Sequence, residues 1–286
     1  MDTASVETET ITIGGDLTVN RLGFGAMRLT GEGIWGEPRD IEEARRVLRR
    51  SYELGANFID TADSYGPEVS ERLIGEMAPY PKDLIVATKG GMTRQAPNKW
   101  APVGRPEYLT QCVEMSLRRL RVERIDLYQL HRIDRKVPIE DSLGALKTLR
   151  RAGKIRHIGL SEVNPLEIER AAKTVPIVSV QNRYNVGDRE YEKTLDWCAK
   201  HDIAFIPWFP LGAGKLTEPG GKLEEAAKHH GATVAQLSIA WLLHRSPVML
   251  PIPGTSSVKH LEENMAAKTL RLSAEEWHEI EEAARP

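Results

Sequence analysis

The feature that most constrains this chain is an alternation. From Leu22 onward, short runs rich in Val, Ile and Leu are each followed by a longer stretch whose apolar residues recur at helical spacing, eight times over. After a first short strand within Arg21–Met27, strands are expected at 57–61, 84–89, 125–131, 155–160, 177–183, 203–208 and 248–252. The first helix begins at Asp40, which forms a capping pattern with Glu43, and ends before Gly55. Helices follow at 68–78, 106–121, 138–152, 165–173, 189–200, 222–229 with 233–244, and 258–267. Continuously apolar strands between amphipathic helices imply a parallel sheet covered on its outer face. Eight such units favour closure into a (β/α)8 TIM barrel.

Thr10–Ile13 and Leu17–Val19 flank Gly14-Gly15-Asp16, a hairpin pattern that precedes the repeat and is placed to cap one end of the barrel. Leu272 to Ala284 reads as one extra capped helix beyond it. No linker interrupts residues 1–286, so a single domain is expected. The rival fold, an open doubly wound sheet, needs a glycine-rich turn after its first strand. Here Gly23-Phe24-Gly25-Ala26-Met27-Arg28 lacks the third glycine. Gly212-Ala213-Gly214-Lys215-Leu216 is not a phosphate loop either, because Leu216 stands where a hydroxyl should bind magnesium.

Charge narrows the classes of partner. The chain carries 39 Lys and Arg against 41 Asp and Glu, with neither sign in blocks, which disfavours nucleic acid and anionic membrane. It has neither a membrane-length apolar run nor an export signal at Met1–Ser5, so a cytoplasmic location is expected. Cys112 and Cys198 make neither a disulfide framework nor a zinc set, and no other metal-ligand spacing occurs. No apolar surface stripe demands a partner, and a monomer is expected.

In a barrel the C-terminal ends of the strands share one mouth. The second strand ends in Asp60, with Tyr65 one turn later; the third ends in Lys89, and the fourth in His131. A buried carboxylate needs a partner, and Lys89 supplies one. The same ammonium is expected to lower the pKa of the Tyr65 phenol, while neutral His131 donates a hydrogen bond to a carbonyl oxygen. Any one of these residues alone reads as packing or a turn. Together they suit proton donation to an oxygen that becomes an alkoxide as hydride arrives.

These segments resemble those of the aldo-keto reductase family. The likeness is carried by Phe58-Ile59-Asp60-Thr61-Ala62-Asp63-Ser64-Tyr65-Gly66, Ile85-Val86-Ala87-Thr88-Lys89 and Ile125-Asp126-Leu127-Tyr128-Gln129-Leu130-His131. Further matches are Ile158-Gly159-Leu160-Ser161, Val180-Gln181-Asn182, Pro210-Leu211-Gly212 and Ile252-Pro253-Gly254-Thr255. The resemblance implies NADPH-dependent reduction of a small aldehyde or ketone, with Tyr65 as acid beside Asp60, Lys89 and His131. Histidine at 131 favours carbonyl chemistry over the family's steroid double-bond reduction. A non-catalytic alternative, a barrel that senses NADP(H) or binds a partner, also exists within the family.

Residue by residue, the likeness places Ser161 and Gln181 on the nicotinamide carboxamide and Trp208 against its ring, with Leu211 and Gly212 in the following cofactor loop. Glu162 departs from the asparagine common beside the serine. Thr255, Ser256, Ser257 and His260 would meet the adenosine phosphate, and Glu263 and Asn264 the adenine. The family's phosphate-binding lysine and arginine are replaced by Gly254 and His260, so NADPH preference is weakened, NADH becomes admissible, and Lys259 is a candidate substitute cation. Trp35, Trp100, Arg132 and Phe209 are the expected substrate-pocket residues, and Gly90–Arg105 is long enough for a lid loop. The 256–264 segment is similar to that of pyridoxal-reductase-type members, which makes pyridoxal one candidate substrate.

Overall fold

A computed structural model describes residues 9–210 and 222–284. Strands β1 (Thr10–Ile13) and β2 (Leu17–Asn20) form the expected antiparallel hairpin. Then follow β3 (Phe24–Gly25), α1 (Ile41–Glu53), β4 (Phe58–Asp60), α2 (Val69–Gly75) and β5 (Ile85–Gly90). Next come β6 (Met92–Ala96), β7 (Lys99–Pro102), α3 (Pro106–Leu120), β8 (Ile125–Leu130), α4 (Ile139–Arg151), β9 (Ile155–Ser161) and α5 (Pro165–Ala172). The remainder is β10 (Ile177–Gln181), α6 (Glu192–Lys200), β11 (Ala204–Phe205), α7 (Lys222–His229), α8 (Val234–Arg245), α9 (Val258–Ala266) and α10 (Ala274–Ala284). Local chemistry sets several starts: Asp40 caps α1 by accepting from the Glu43 amide at 2.8 Å, and Asn164 with Glu167 closes a capping box on α5.

Seven strands pair in parallel in the order β11-β10-β9-β8-β5-β4-β3. The eighth segment, 248–253, contains Pro251 and Pro253, which have no N–H to give to a ladder. Its carbonyls close the ring, with the Leu250 amide donating to Phe205 O at 2.9 Å. Phe205 N donates to Val248 O at 2.8 Å on one side, and Gly23 N donates to Pro251 O at 3.0 Å on the other. The expected eight-stranded barrel is therefore closed, with a proline-rich last strand.

Side-chain alternation along these strands builds two cores. Ile59, Val86, Leu130, Ile158, Val180 and Phe205 pack outward with helix residues such as Val47, Leu73, Val113, Leu146, Ile168 and Leu195. Their neighbours Phe58, Ile85, Ala87, Leu127, Ala204, Ile206, Leu250 and Ile252 cluster with Ile13, Leu17 and Val19 of the hairpin. The β1–β2 hairpin thus plugs the barrel floor. Asp16 at its turn meets His157 Nε2 at 2.6 Å and Arg156 at 2.8 Å. A Cβ on Gly14 would lie 2.5 Å from the His157 ring, and its φ of +62° also favours glycine.

One expectation needs correction. Gly90–Arg105 is not an open lid loop: β6 and β7 pair as a hairpin, with Arg94 opposite Trp100. Among the described residues, no helix is long and apolar enough to cross a membrane.

Candidate active site

The inner side-chain columns that are apolar inside the barrel become polar at its mouth. Asp60 follows Phe58, Lys89 follows Ala87, Gln129 follows Leu127 and His131 follows Gln129, each two residues on and therefore on the same face. Lys89 is 0% exposed. Its Nζ lies 2.6 Å from Asp60 Oδ1, 2.7 Å from the Thr61 carbonyl oxygen and 3.4 Å from Tyr65 Oη. The second Asp60 oxygen accepts from Gln181 Nε2 at 2.8 Å and Gln129 Nε2 at 3.1 Å. Two buried ions are thereby saturated with hydrogen bonds, the condition for such a pair to persist out of water.

Burial works against the Lys89 charge, but the Asp60 carboxylate and the Tyr65 oxygen outweigh it and raise its pKa, so the ammonium persists. The Tyr65 phenol departs from expectation. Burial dominates and raises its pKa, with Lys89 pulling in the other direction but not prevailing. The reason is that the ammonium is shared with Asp60, while a phenolate would lose its hydration entirely. His131 lies with Nδ1 3.3 Å from Ser64 Oγ, and burial together with the charges of Lys89, Arg132 and Arg94 holds its pKa well below the usual value, leaving it neutral. Trp100 completes an aromatic wall, its ring 6.4 Å from that of Tyr65 and 6.3 Å from that of His131, edge to face.

These groups open into a cleft of about 1220 Å³, more than the ~300–1,000 Å³ usual for one small ligand. It runs past Ser161, Gln181 and Trp208 to Gly254 and Ser256, and Trp100, Arg132 and Phe209 also line it. Trp35 does not: it is 36% exposed and packs on Arg94 outside the cleft lining. Leu211 and Gly212 lie outside the described residues. The Ser161 hydroxyl accepts from Arg132 Nη1 at 2.8 Å.

At the far end, Thr255 Oγ1 accepts from the Ser257 amide at 3.2 Å. His260 is exposed, Glu263 is half-buried and Asn264 is buried. The amide of Val258, the first residue of α9, donates to Glu43 Oε1 at 2.9 Å, so a protein carboxylate already occupies one of that helix's N-terminal donors. Gly254 is fixed by close packing. A Cβ there would stand 2.4 Å from the Gly25 carbonyl oxygen, which explains why this backbone path carries no lysine.

Known proteins resemble this chain in sequence and in fold. The sequence profile of the aldo/keto reductase family matches residues 21–285. The chain belongs to that family. An uncharacterized oxidoreductase of Schizosaccharomyces pombe is 53% identical to it over 95% of this chain and 89% of the relative. Pyridoxine 4-dehydrogenase of Escherichia coli is 44% identical over 91% of this chain and 93% of that enzyme. A solved aldo/keto reductase from Klebsiella pneumoniae, in complex with NADP and acetate, superposes with a TM-score of 0.83 at 25% identity, covering 98% of this chain and 97% of that one. This chain is accordingly an oxidoreductase of the aldo/keto reductase family with a TIM-barrel fold.

Three residues of this aldo/keto reductase's site have roles that were not anticipated from the sequence. Gln129 holds Asp60. Glu162, at φ +56°, accepts from Trp208 Nε1 and from the Arg183 amide, each at 2.7 Å, and so fixes the indole. Arg94 stacks 3.6 Å over Trp100 and donates to the carbonyls of Ile34, Ser64 and Gly33, tying the first two mouth loops to the hairpin. For Gln129 a signal was present in the strand alternation with His131. For Arg94 it lay in the alternating Arg and Trp of the hairpin arms.

Proposed function

We propose that this aldo/keto reductase reduces a small aldehyde or ketone to the alcohol using NADPH, with Tyr65 as the proton donor. The observation that carries the reading is the approach of Tyr65 Oη to a wholly buried, Asp60-paired Lys89 at 3.4 Å, beside neutral His131. Bound NADPH supplies the hydride to the carbonyl carbon. Ser64 engages His131 Nδ1, and the tautomer protonated at Nε2 leaves that group to orient the carbonyl oxygen. As charge grows on the oxygen, Tyr65 passes its proton across, and the resulting phenolate is stabilised by the adjacent ammonium. The raised phenol pKa is compatible with this role: an alkoxide is far more basic than a phenolate, so the proton still moves downhill, and the acid stays loaded at neutral pH.

The cleft suits a dinucleotide. Gln181 gives its amide N–H to Asp60, leaving its carbonyl oxygen for the nicotinamide carboxamide, with Ser161 as a second contact and Trp208 as the ring's stacking surface. Thr255, Ser256, Ser257, Glu263 and Asn264 would meet the adenosine half. Because Gly254 cannot accept a side chain, the cations for the 2′-phosphate are Arg28 and Arg39, which line the same cleft. We expect NADPH to be preferred modestly, with NADH accepted. Pyridoxal is one candidate substrate, supported by the relative named pyridoxine 4-dehydrogenase.

The test is wild-type turnover on a panel of aldehydes, pyridoxal included, with NADPH and with NADH. Cofactor oxidation with at least one aldehyde is expected. Tight NADPH binding with no turnover on any of them would replace this reading by that of a cofactor-sensing barrel.

A further inference from the structure

Two cations at the mouth of the barrel stand without a carboxylate partner among the described residues. Lys89 is matched by Asp60. Arg132 and Arg94, by contrast, form no ion pair among the described residues. Arg94 is spent on backbone carbonyls and on Trp100. Arg132 is different, because it lines the cleft and is only partly engaged. Its Nη1 donates to the His131 carbonyl at 2.6 Å and to Ser161 Oγ at 2.8 Å. Its Nε and Nη2 have no acceptor among the described residues. The nearest acid, Glu162, is committed to Trp208, the Arg183 amide and Tyr191.

Nε and Nη2 form the side-on edge of a guanidinium, the edge that matches two oxygens of a carboxylate or phosphate. A half-buried cation beside the reacting centre with that edge free is costly unless something anionic completes it. Trp100 and Phe209 on the same cleft provide apolar surface for the rest of such a molecule.

We propose that the carbonyl substrate bears an anionic group, a carboxylate or a phosphate, which Arg132 clamps through Nε and Nη2. This deepens the reductase reading above and rests on it. The identity of the anion is decided by two matched pairs of probes: 4-carboxybenzaldehyde against methyl 4-formylbenzoate, and glyceraldehyde 3-phosphate against glyceraldehyde. With the full-length enzyme and saturating NADPH, kcat/KM for the anionic member of at least one pair should exceed the neutral one by about tenfold or more, mostly through KM. The pair that shows it identifies the group. In Arg132→Met this ratio should fall towards one, while Arg132→Lys, which keeps the charge but not the fork, should restore part of it. NADPH affinity, followed by tryptophan fluorescence, should move less than about threefold in Arg132→Met. No preference in either wild-type pair would overturn the proposal, as would equal slowing of both members in Arg132→Met. So would a loss of NADPH affinity beyond about tenfold, which would assign Arg132 to the cofactor. Wild-type turnover without anion preference removes this inference alone, whereas absence of all turnover removes the reductase reading beneath it.

Discussion

At the mouth of the barrel the Lys89 ammonium is 0% exposed with three oxygens within 3.4 Å; in the first turn of α9 Lys259 is 82% exposed, and Glu263 stands 4.0 Å away. The contrast follows from what each end must do. Proton transfer needs donor and acceptor fixed in a water-poor site, where each misplaced charge is expensive. Holding a phosphate at the surface needs only some positive potential, and exposed, screened ion pairs are worth little individually. The Lys89 end is therefore locked by Asp60, Gln129 and Gln181, while at the end proposed for the adenosine half the close approach of Gly254 and Gly25 leaves no room for a side chain.

The sharpest way to break this contrast is at Lys89. Lys89→Met leaves Asp60 as an unpaired buried carboxylate and removes the charge that stabilises the phenolate. Turnover should fall ~10³-fold or more, and urea denaturation should show a loss of ~3–5 kcal/mol. The equivalent change at Lys259 should alter neither by more than about twofold in rate or ~0.5 kcal/mol in stability.

The buried end should also titrate. Asp63, on the loop that carries Tyr65, is pushed from the usual 3.8 up to about 7 by burial, with Glu71 adding to the effect. A raised carboxyl pKa means that the folded state holds this proton where the unfolded chain releases it. Its stabilising contribution is thus complete below about pH 4 and is lost as pH rises through about 7. Asp63→Asn should therefore gain ~2–4 kcal/mol relative to wild type at about pH 8, with the gap closing at about pH 4. Thermal melts across that range would show it.

A third effect lies midway along the cleft. Glu162→Ala frees the Trp208 indole from its hydrogen bond, and NADPH affinity should weaken by about tenfold with little change in the hydride-transfer rate. The smallest effect is expected at the adenosine end. Arg28→Ala should reduce NADPH affinity about threefold and leave NADH affinity unaltered, measured by fluorescence titration.

Much of this was legible before the fold was known, and the exceptions have physical causes. Asp60, Lys89 and His131 could be read because each ends an apolar strand, where a charged or polar group has no packing reason to stand. The support of Asp60 by Gln129 was legible only in part: alternation with His131 puts Gln129 on the inner face, but its reach to Asp60 depends on the register that sets Lys89 opposite Gln129 across β5 and β8. The direction of the Tyr65 shift was misjudged for a related reason: a nearby ammonium is visible in sequence, but the extent of burial is not. The long third loop became a hairpin because Asn98 adopts a left-handed turn at φ +57° between paired arms that Arg94 ties to the first two loops. Strand eight was recognised by its apolar run, yet its prolines let it join the barrel almost solely through carbonyls.

The proposed reduction depends most on Tyr65 delivering the proton. Single-turnover oxidation of enzyme-bound NADPH by an aldehyde, comparing wild type with Tyr65→Phe, measures that step apart from product release. The expected result is a ~10³-fold slower hydride transfer in Tyr65→Phe, with NADPH binding within about threefold of wild type. A transfer rate in Tyr65→Phe within about tenfold of wild type would contradict the assignment and require another acid at the mouth of the barrel.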